Sequence, residues 1–245
     1  MMKCYLSFLI MLQYLSVGAQ QTVPKETFYL FDVKDNPVNE RGKAAAFEVI
    51  TKENDTVFVV RYYQNYGSMI WQQTFRDSAL TVANGRFAWY DKHGFLDSTG
   101  MMRNGVKVGK WDYFDSTQKK NLMNNIKSDN KKITIDNYAS SGFSPKMLRV
   151  WKKYLTNNLN PKTGQYNSVY KTSAGNNAVV VVSFTVTPNK TTEDIYFLYS
   201  EAYPYDKEVL RVIGNANFWL SPLPYSTPAT PLKETLRIIF PFQSK

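Results

Sequence analysis

The sequence has one cysteine and one histidine in 245 residues, and each shortage removes a class of chemistry. Cys4 stands upstream of the apolar stretch from Tyr5 to Val17, whereas a lipid-anchoring cysteine would have to follow it. Beyond that stretch the chain therefore has no thiol, no disulfide and no cysteine-based metal site. His93 falls in the turn Asp91-Lys92-His93-Gly94, where neither a pocket nor an orienting partner is expected, so it reads as a surface turn residue rather than a general base. With no second histidine, zinc centres and Cys/His nucleophiles drop out. Glycine-rich phosphate loops are missing as well, because Gly105 and Gly109 lead into the strand-like Lys110-Trp111-Asp112-Tyr113 and not into a helix. Ser98 and Ser183 sit on strand patterns without a nucleophile elbow. The acidic pairs Glu193-Asp194 and Asp206/Glu208 are explained by strand entry and helix capping. No catalytic residue, cofactor site or metal ligand is expected, and the chain reads as non-enzymatic.

Long apolar runs are equally scarce. Residues 1–19 carry Lys3, the apolar stretch and a small-residue step Val17-Gly18-Ala19 before Gln20, the pattern of a secretory signal peptide, and a membrane helix would need about 20 apolar residues. The expected location is outside the cytoplasm, in the periplasm or cell envelope, with membrane attachment only if that segment is retained. The formal charge is +10, yet no run of five basic residues occurs. Export removes the protein from cytoplasmic nucleic acid, and the basic surface reads as solvated.

What the chain does have is apolar and aromatic material, 43% hydrophobic with 17 Tyr, 15 Phe and 5 Trp, ample for a packed core. Short alternating runs at Thr27–Phe31, Ala46–Ile50 and Thr56–Tyr63 are separated by Asp35-Asn36-Pro37 and Lys52-Glu53-Asn54-Asp55, which gives an all-β reading. An internal repeat follows. Tyr62-Tyr63, Gly67 and Met69 with Arg76-Asp77 align with Trp89-Tyr90-Asp91, Gly94 and Leu96 with Arg103-Asn104, and a third copy starts at Trp111 after Asn104-Gly105 and Gly109. Each copy is an aromatic strand, a tight turn and a return strand, and Asn-Gly is a strong hairpin signal. The motif Trp89, Tyr90, Gly94, Asn104, Gly105, Gly109, Trp111 resembles the MORN-type repeat in its bacterial secreted variant, over about residues 84–115. The reading for residues 20–115 is a β-meander.

Residues 116–142 read as a Lys/Asn/Ser-rich connector with one strand at Lys132–Asp136. Ser144-Pro145 then opens a helix with Met147, Leu148, Trp151, Tyr154, Leu155 and Leu159 on one stripe, stopped by Asn160-Pro161. In Ala178–Thr187, Val180, Val182, Phe184 and Val186 alternate with Ser183, Thr185 and Thr187, the period of a half-buried strand. A second strand at Asp194–Tyr199, a helix capped by Asp206 and carrying Val209, Val212 and Ile213, and a last strand at Thr235–Phe242 complete an α-β-β-α-β order.

Phe184-Thr-Val186, Asp206 with Leu210-Arg-Val-Ile213, Trp219-Leu-Ser-Pro222 and Phe240-Pro-Phe242 resemble, in order and placement, the C-terminal domain of the TonB family, over about residues 143–242. The fold class expected is mainly β with a C-terminal α+β domain, divided as 1–19, 20–115, 116–142 and 143–245. The resemblance implies a protein partner, an outer-membrane receptor or another envelope protein, whose extended peptide adds to the last strand. Its docking edge would be Glu234 to Phe240, with Glu234, Thr235, Arg237 and Ile239 binding the partner, the last three facing outward or along the edge, and Asp206, Trp219 and Pro222 in structural roles. The alternative is a surface protein whose MORN-like meander contacts lipid, glycan or another protein.

Overall fold

The computed structural model describes residues 25–123, 134–137, 145–160, 162–163, 177–189, 191–215 and 232–241. The segment 1–19, Trp219, Pro222 and Phe242 lie outside them. Eight strands form one antiparallel sheet: β1 (Lys25–Phe31), β2 (Pro37–Val38), β3 (Ala46–Asn54), β4 (Val57–Gln64), β5 (Met69–Phe75), β6 (Ala83–Tyr90), β7 (Leu96–Arg103) and β8 (Val106–Tyr113). Apart from β2, which lies outside β1, chain order is sheet order. This is the expected meander, and its turns have the expected chemistry. Asn104 and Gly105 both take left-handed backbone angles (φ 50° and 80°) between β7 and β8, as a two-residue hairpin matching strand twist requires.

The repeat has a simple physical meaning. Adjacent residues of a strand point to opposite faces, so Tyr62-Tyr63 and Trp89-Tyr90 each place one ring on each side of the sheet. On the outer side Tyr62 stacks on Trp71 (5.3 Å between ring centroids, 7° between planes). Trp71 stands opposite Trp89 in register, Trp89 meets Trp111 at 6.0 Å, and the Lys107 ammonium lies 4.1 Å from the Trp111 ring centre. On the inner side Tyr63 stacks on Phe47, and both Tyr63 and Tyr90 are buried in the core that the meander shares with the C-terminal segment. The third copy has Asp112 where a second ring would stand, and there Phe114 is the ring that packs against the shared core.

A second antiparallel sheet has the order β11-β10-β12-β9. Its strands are β9 (Thr134–Asn137), β10 (Asn177–Val186), β11 (Thr192–Tyr199) and β12 (Leu232–Pro241). Two helices, α2 (Pro145–Asn158) and α3 (Tyr203–Gly214), cover one face. Trp151 of α2 packs on Phe184 at 5.3 Å and Tyr205 of α3 on Phe240 at 5.4 Å. The expected rows Val180, Val182, Phe184, Val186 and Leu236, Ile238, Phe240 lie in this core. The half-buried reading of the first strand needs correction, however. Val179, Val181 and Ser183 are as buried as their neighbours, because Ile239, Tyr199, Leu198 and Phe95 cover part of the second face.

The stretch read as connector is partly built. Asp115 and Gln118 satisfy each other's backbone amides (2.8 and 2.9 Å), a reciprocal cap that starts helix α1 (Ser116–Met123). Lys119 ties it back to Asp91 and Asp97. β9 comes from the same stretch and joins the small sheet. Among the described residues no helix is long and apolar enough to cross a membrane.

The outer row depends on one glycine. A Cβ at Gly100 would lie 2.2 Å from the Trp111 ring, so Trp111 crosses β7 only because that position has no side chain. Gly100→Ala is expected to lower the unfolding free energy by about 1–3 kcal/mol, read as a shift of the urea midpoint at unchanged m-value. A wild-type midpoint would mean that the row contributes no packing.

Candidate functional site

The two sheets meet along β11, and polar groups register the contact. Met69 of β5 donates its backbone N–H to Ser200 Oγ at 3.0 Å. The Ser200 N–H donates to the Gly94 carbonyl at 2.9 Å, and a bridge pairs Phe95 with Tyr199. A Cβ on Gly94 would lie 2.1 Å from the Ser200 carbonyl oxygen. Gly94 therefore serves twice, as the left-handed turn residue (φ 85°) and as the place where the C-terminal segment touches the repeat. Farther along, Gln72 Nε2 donates to the Ile195 carbonyl at 3.1 Å, the Phe197 N–H donates to the Tyr90 hydroxyl at 3.2 Å, and Arg86 pairs with Asp194 while lying over the Tyr196 ring at 4.4 Å. These side chains bond the outward backbone groups of β11, so that margin is closed.

Asp206 lies at the centre of this seam and does not cap its helix as expected. The cap position of α3 is Ala202, with no side-chain cap bond, and proline occupies an N1/N2 position. The Asp206 carboxylate instead accepts the Ser200 hydroxyl at 2.5 Å. It is fully buried and its Oδ1 has no hydrogen-bond partner. Burial raises its pKa to about 8, against the pull of the Ser200 hydroxyl and of the nearby Tyr63 hydroxyl, which forms no hydrogen bond to it, with Glu201 adding to the rise and Arg61 opposing it. Glu201 is buried too, accepting the Val179 N–H at 3.1 Å. Arg61 is held by Gln72 (3.0 Å) and Thr51 (3.4 Å). Sequence reasoning missed Ser200, Glu201, Arg61 and Gln72. Arg61, a charge interrupting the apolar run Val57–Tyr63, was the one legible signal. Ser200 and Asp206 resemble a nucleophile and its partner only on paper, since both are sealed in the core and no substrate reaches them. His93 stands exposed in its turn, as the sequence placed it.

The last strand departs most from expectation. β12 pairs with β10 along all ten of its residues, Leu232 to Pro241. Its other side is not open: β9 lies antiparallel on it, Asn137 opposite Leu236, Asp136 opposite Arg237, Ile135 opposite Ile238 and Thr134 opposite Ile239. Thr235 and Ile239 do not face outward either. Both are buried, Ile239 beneath Tyr199 and Phe95 and Thr235 at Ser183 (3.4 Å); Arg237 is half-buried. A short strand thus occupies the middle of the expected docking edge. Glu234 and Thr235 before it and Phe240 after it lack a partner strand on that side among the described residues.

The buried acid makes a pH signature. Unfolded, Asp206 titrates near its ordinary value of 3.8; folded, near 8. Its contribution is full below pH 4 and is lost progressively as pH rises from about 4 to about 8, because over that range only the unfolded chain gives up the proton. Asp206→Asn, which carries no proton to lose, is expected to melt with a flatter pH dependence between pH 5 and 8 and to gain on the wild type as pH rises. Parallel melting curves against pH would refute the buried neutral acid.

No protein-family model, curated protein or solved structure matches this chain.

Proposed function

We propose that the protein is an exported, non-enzymatic interaction protein that captures an extended peptide by strand addition at the β12–β9 margin of its small sheet. The observation that carries this reading is the asymmetry of β12, bonded along its whole length to β10 and along four residues to β9. The opposite margin of that sheet, β11, is closed by the meander, and this supports placing addition on the β9 side. Backbone bonds along an open margin give affinity, and pockets for alternate side chains give selectivity. The TonB-like order of elements supplies the partner's class, a segment of an outer-membrane receptor or another envelope protein. The signal-like residues 1–19 supply the compartment.

A second reading keeps the meander as the contact surface for lipid, glycan or protein. It is favoured by the outer aromatic row, which no described element covers. The geometry of the row weakens it: Tyr62 and Trp71 turn their faces to each other, and the Trp111 face is taken by Lys107. The rings mainly brace the sheet.

A photo-crosslinker at Glu234, in the full-length exported protein, is expected to label a single segment of an envelope partner, while one at exposed Glu53 on the meander labels none. The labelled segment, made as a peptide, should bind the full chain and lose at least tenfold in affinity when alternate amides on one edge are N-methylated, since methylation removes main-chain donors. Unchanged binding after methylation, or labelling only from the meander, would reject strand addition.

A further inference from the structure

β9 is a short strand at the rim of the small sheet, with α2 packed beside it. It is four residues long, its outer side carries no strand among the described residues, and Ile135, opposite Ile238, lies in the core. The strand it covers is ten residues long, and among the described residues β9 pairs with four of them, Leu236 to Ile239. An occupant that is short, tethered and at the rim of its sheet has the properties of a competitor for its own site.

We propose that β9 is a resident plug on the β12 margin, and that the partner displaces it with an extended acidic peptide. The proposal rests on strand addition at that margin and adds its regulation and the chemistry of the partner. The register specifies that chemistry. The incoming strand needs an apolar, preferably β-branched residue opposite Ile238, where Ile135 now stands, and beside it an acidic residue opposite Arg237, where Asp136 now stands. Opposite charges directly across two strands are stabilising and like charges are not. The formal charge of +10 favours an acidic peptide at long range as well. Because β9 is tethered, it competes at an effective concentration on the order of millimolar. The apparent affinity for a partner is therefore its intrinsic affinity reduced by the fraction of molecules in which β9 is released. A partner that pairs with more of β12 than the four residues β9 takes among the described residues gains main-chain bonds, and this is how displacement becomes favourable.

The probe is a fluorescent peptide with the chain's own sequence Ile133–Tyr138 (ITIDNY), titrated into full-length protein and followed by anisotropy. It should bind the wild type weakly. Ile135→Ser removes the burial of one isoleucine, equivalent to about ten- to a hundredfold in an equilibrium, and should bind the peptide at least tenfold more tightly. Asp136→Lys places a like charge opposite Arg237 while keeping Ile135 and should also tighten binding. A probe carrying lysine in place of its aspartate should bind every form more weakly. Thermal melting of each variant shows that it is folded. Equal binding by wild type and both variants would overturn the plug while leaving strand addition standing; no binding by any of them would overturn both.

Discussion

A single-layer sheet with rings on both faces is unstable in water unless one face is covered, and the rest of this molecule follows from how the cover is supplied. The meander has Phe47, Val49, Tyr63, Met69, Ala88, Tyr90 and Leu96 on its inner side, more apolar surface than a lone sheet can leave wet. The C-terminal segment covers it with β11 and the start of α3. Tyr203 stands edge-on to Phe28, Phe47 and Tyr63 at 5.7, 5.5 and 5.4 Å, and its hydroxyl donates to Glu26 at the other end of the chain. The two halves therefore share one hydrophobic core. Neither is an independent reader with its inner face free.

Polar groups decide where that apolar contact settles. Hydrophobic faces attract without direction, and a flat ladder of rings would accept β11 in several registers. Ser200 between Met69, Gly94 and Asp206, and Gln72 reaching Ile195, are satisfied in one alignment only. Shifting β11 by a residue would strand buried donors and acceptors, each costing about 1–3 kcal/mol. A neutral Asp206 belongs to the same logic, because a buried carboxylate beside Glu201 would cost far more than a buried acid. The seam is specified by its polar atoms and stabilised by its rings.

Much of this was legible in the residues. Period-two runs located β1, β3, β4, β10, β11 and β12, and the repeat with its Asn104-Gly105 turn gave the meander, because these features are local. What failed was non-local. Asp206 satisfies every local rule for a helix cap, yet the Ser200 hydroxyl captures it six residues back. Ser183 and Thr185 read as a wet face, yet Ser183 is buried, and Phe95, distant in sequence, helps cover its side of β10. β9 was visible as an isolated Thr-Ile-Asp pattern, but nothing in four residues says which strand they will pair with. Trp219 and Pro222 fall outside the described residues, so their structural role stays an expectation.

The closing of margins links the fold to the reading of its function. An exposed strand edge is a template for any other strand, and proteins that keep one guard it. Here β11 is closed by side chains of the meander. β8, the last strand of the repeat, carries Lys107, Lys110 and a left-handed Gly109 (φ 65°) that bends it away from flat pairing. β12 is covered by a piece of backbone, the four residues of β9, and the β1 edge of the large sheet carries only the two residues of β2. A side chain that bonds an edge does not imitate a strand, and a lysine only repels one. A short strand covers the edge by pairing with it, in the geometry that any added strand would have to reproduce. This difference in how the edges are protected, more than the presence of any single residue, distinguishes the β12 margin from those of β8 and β11.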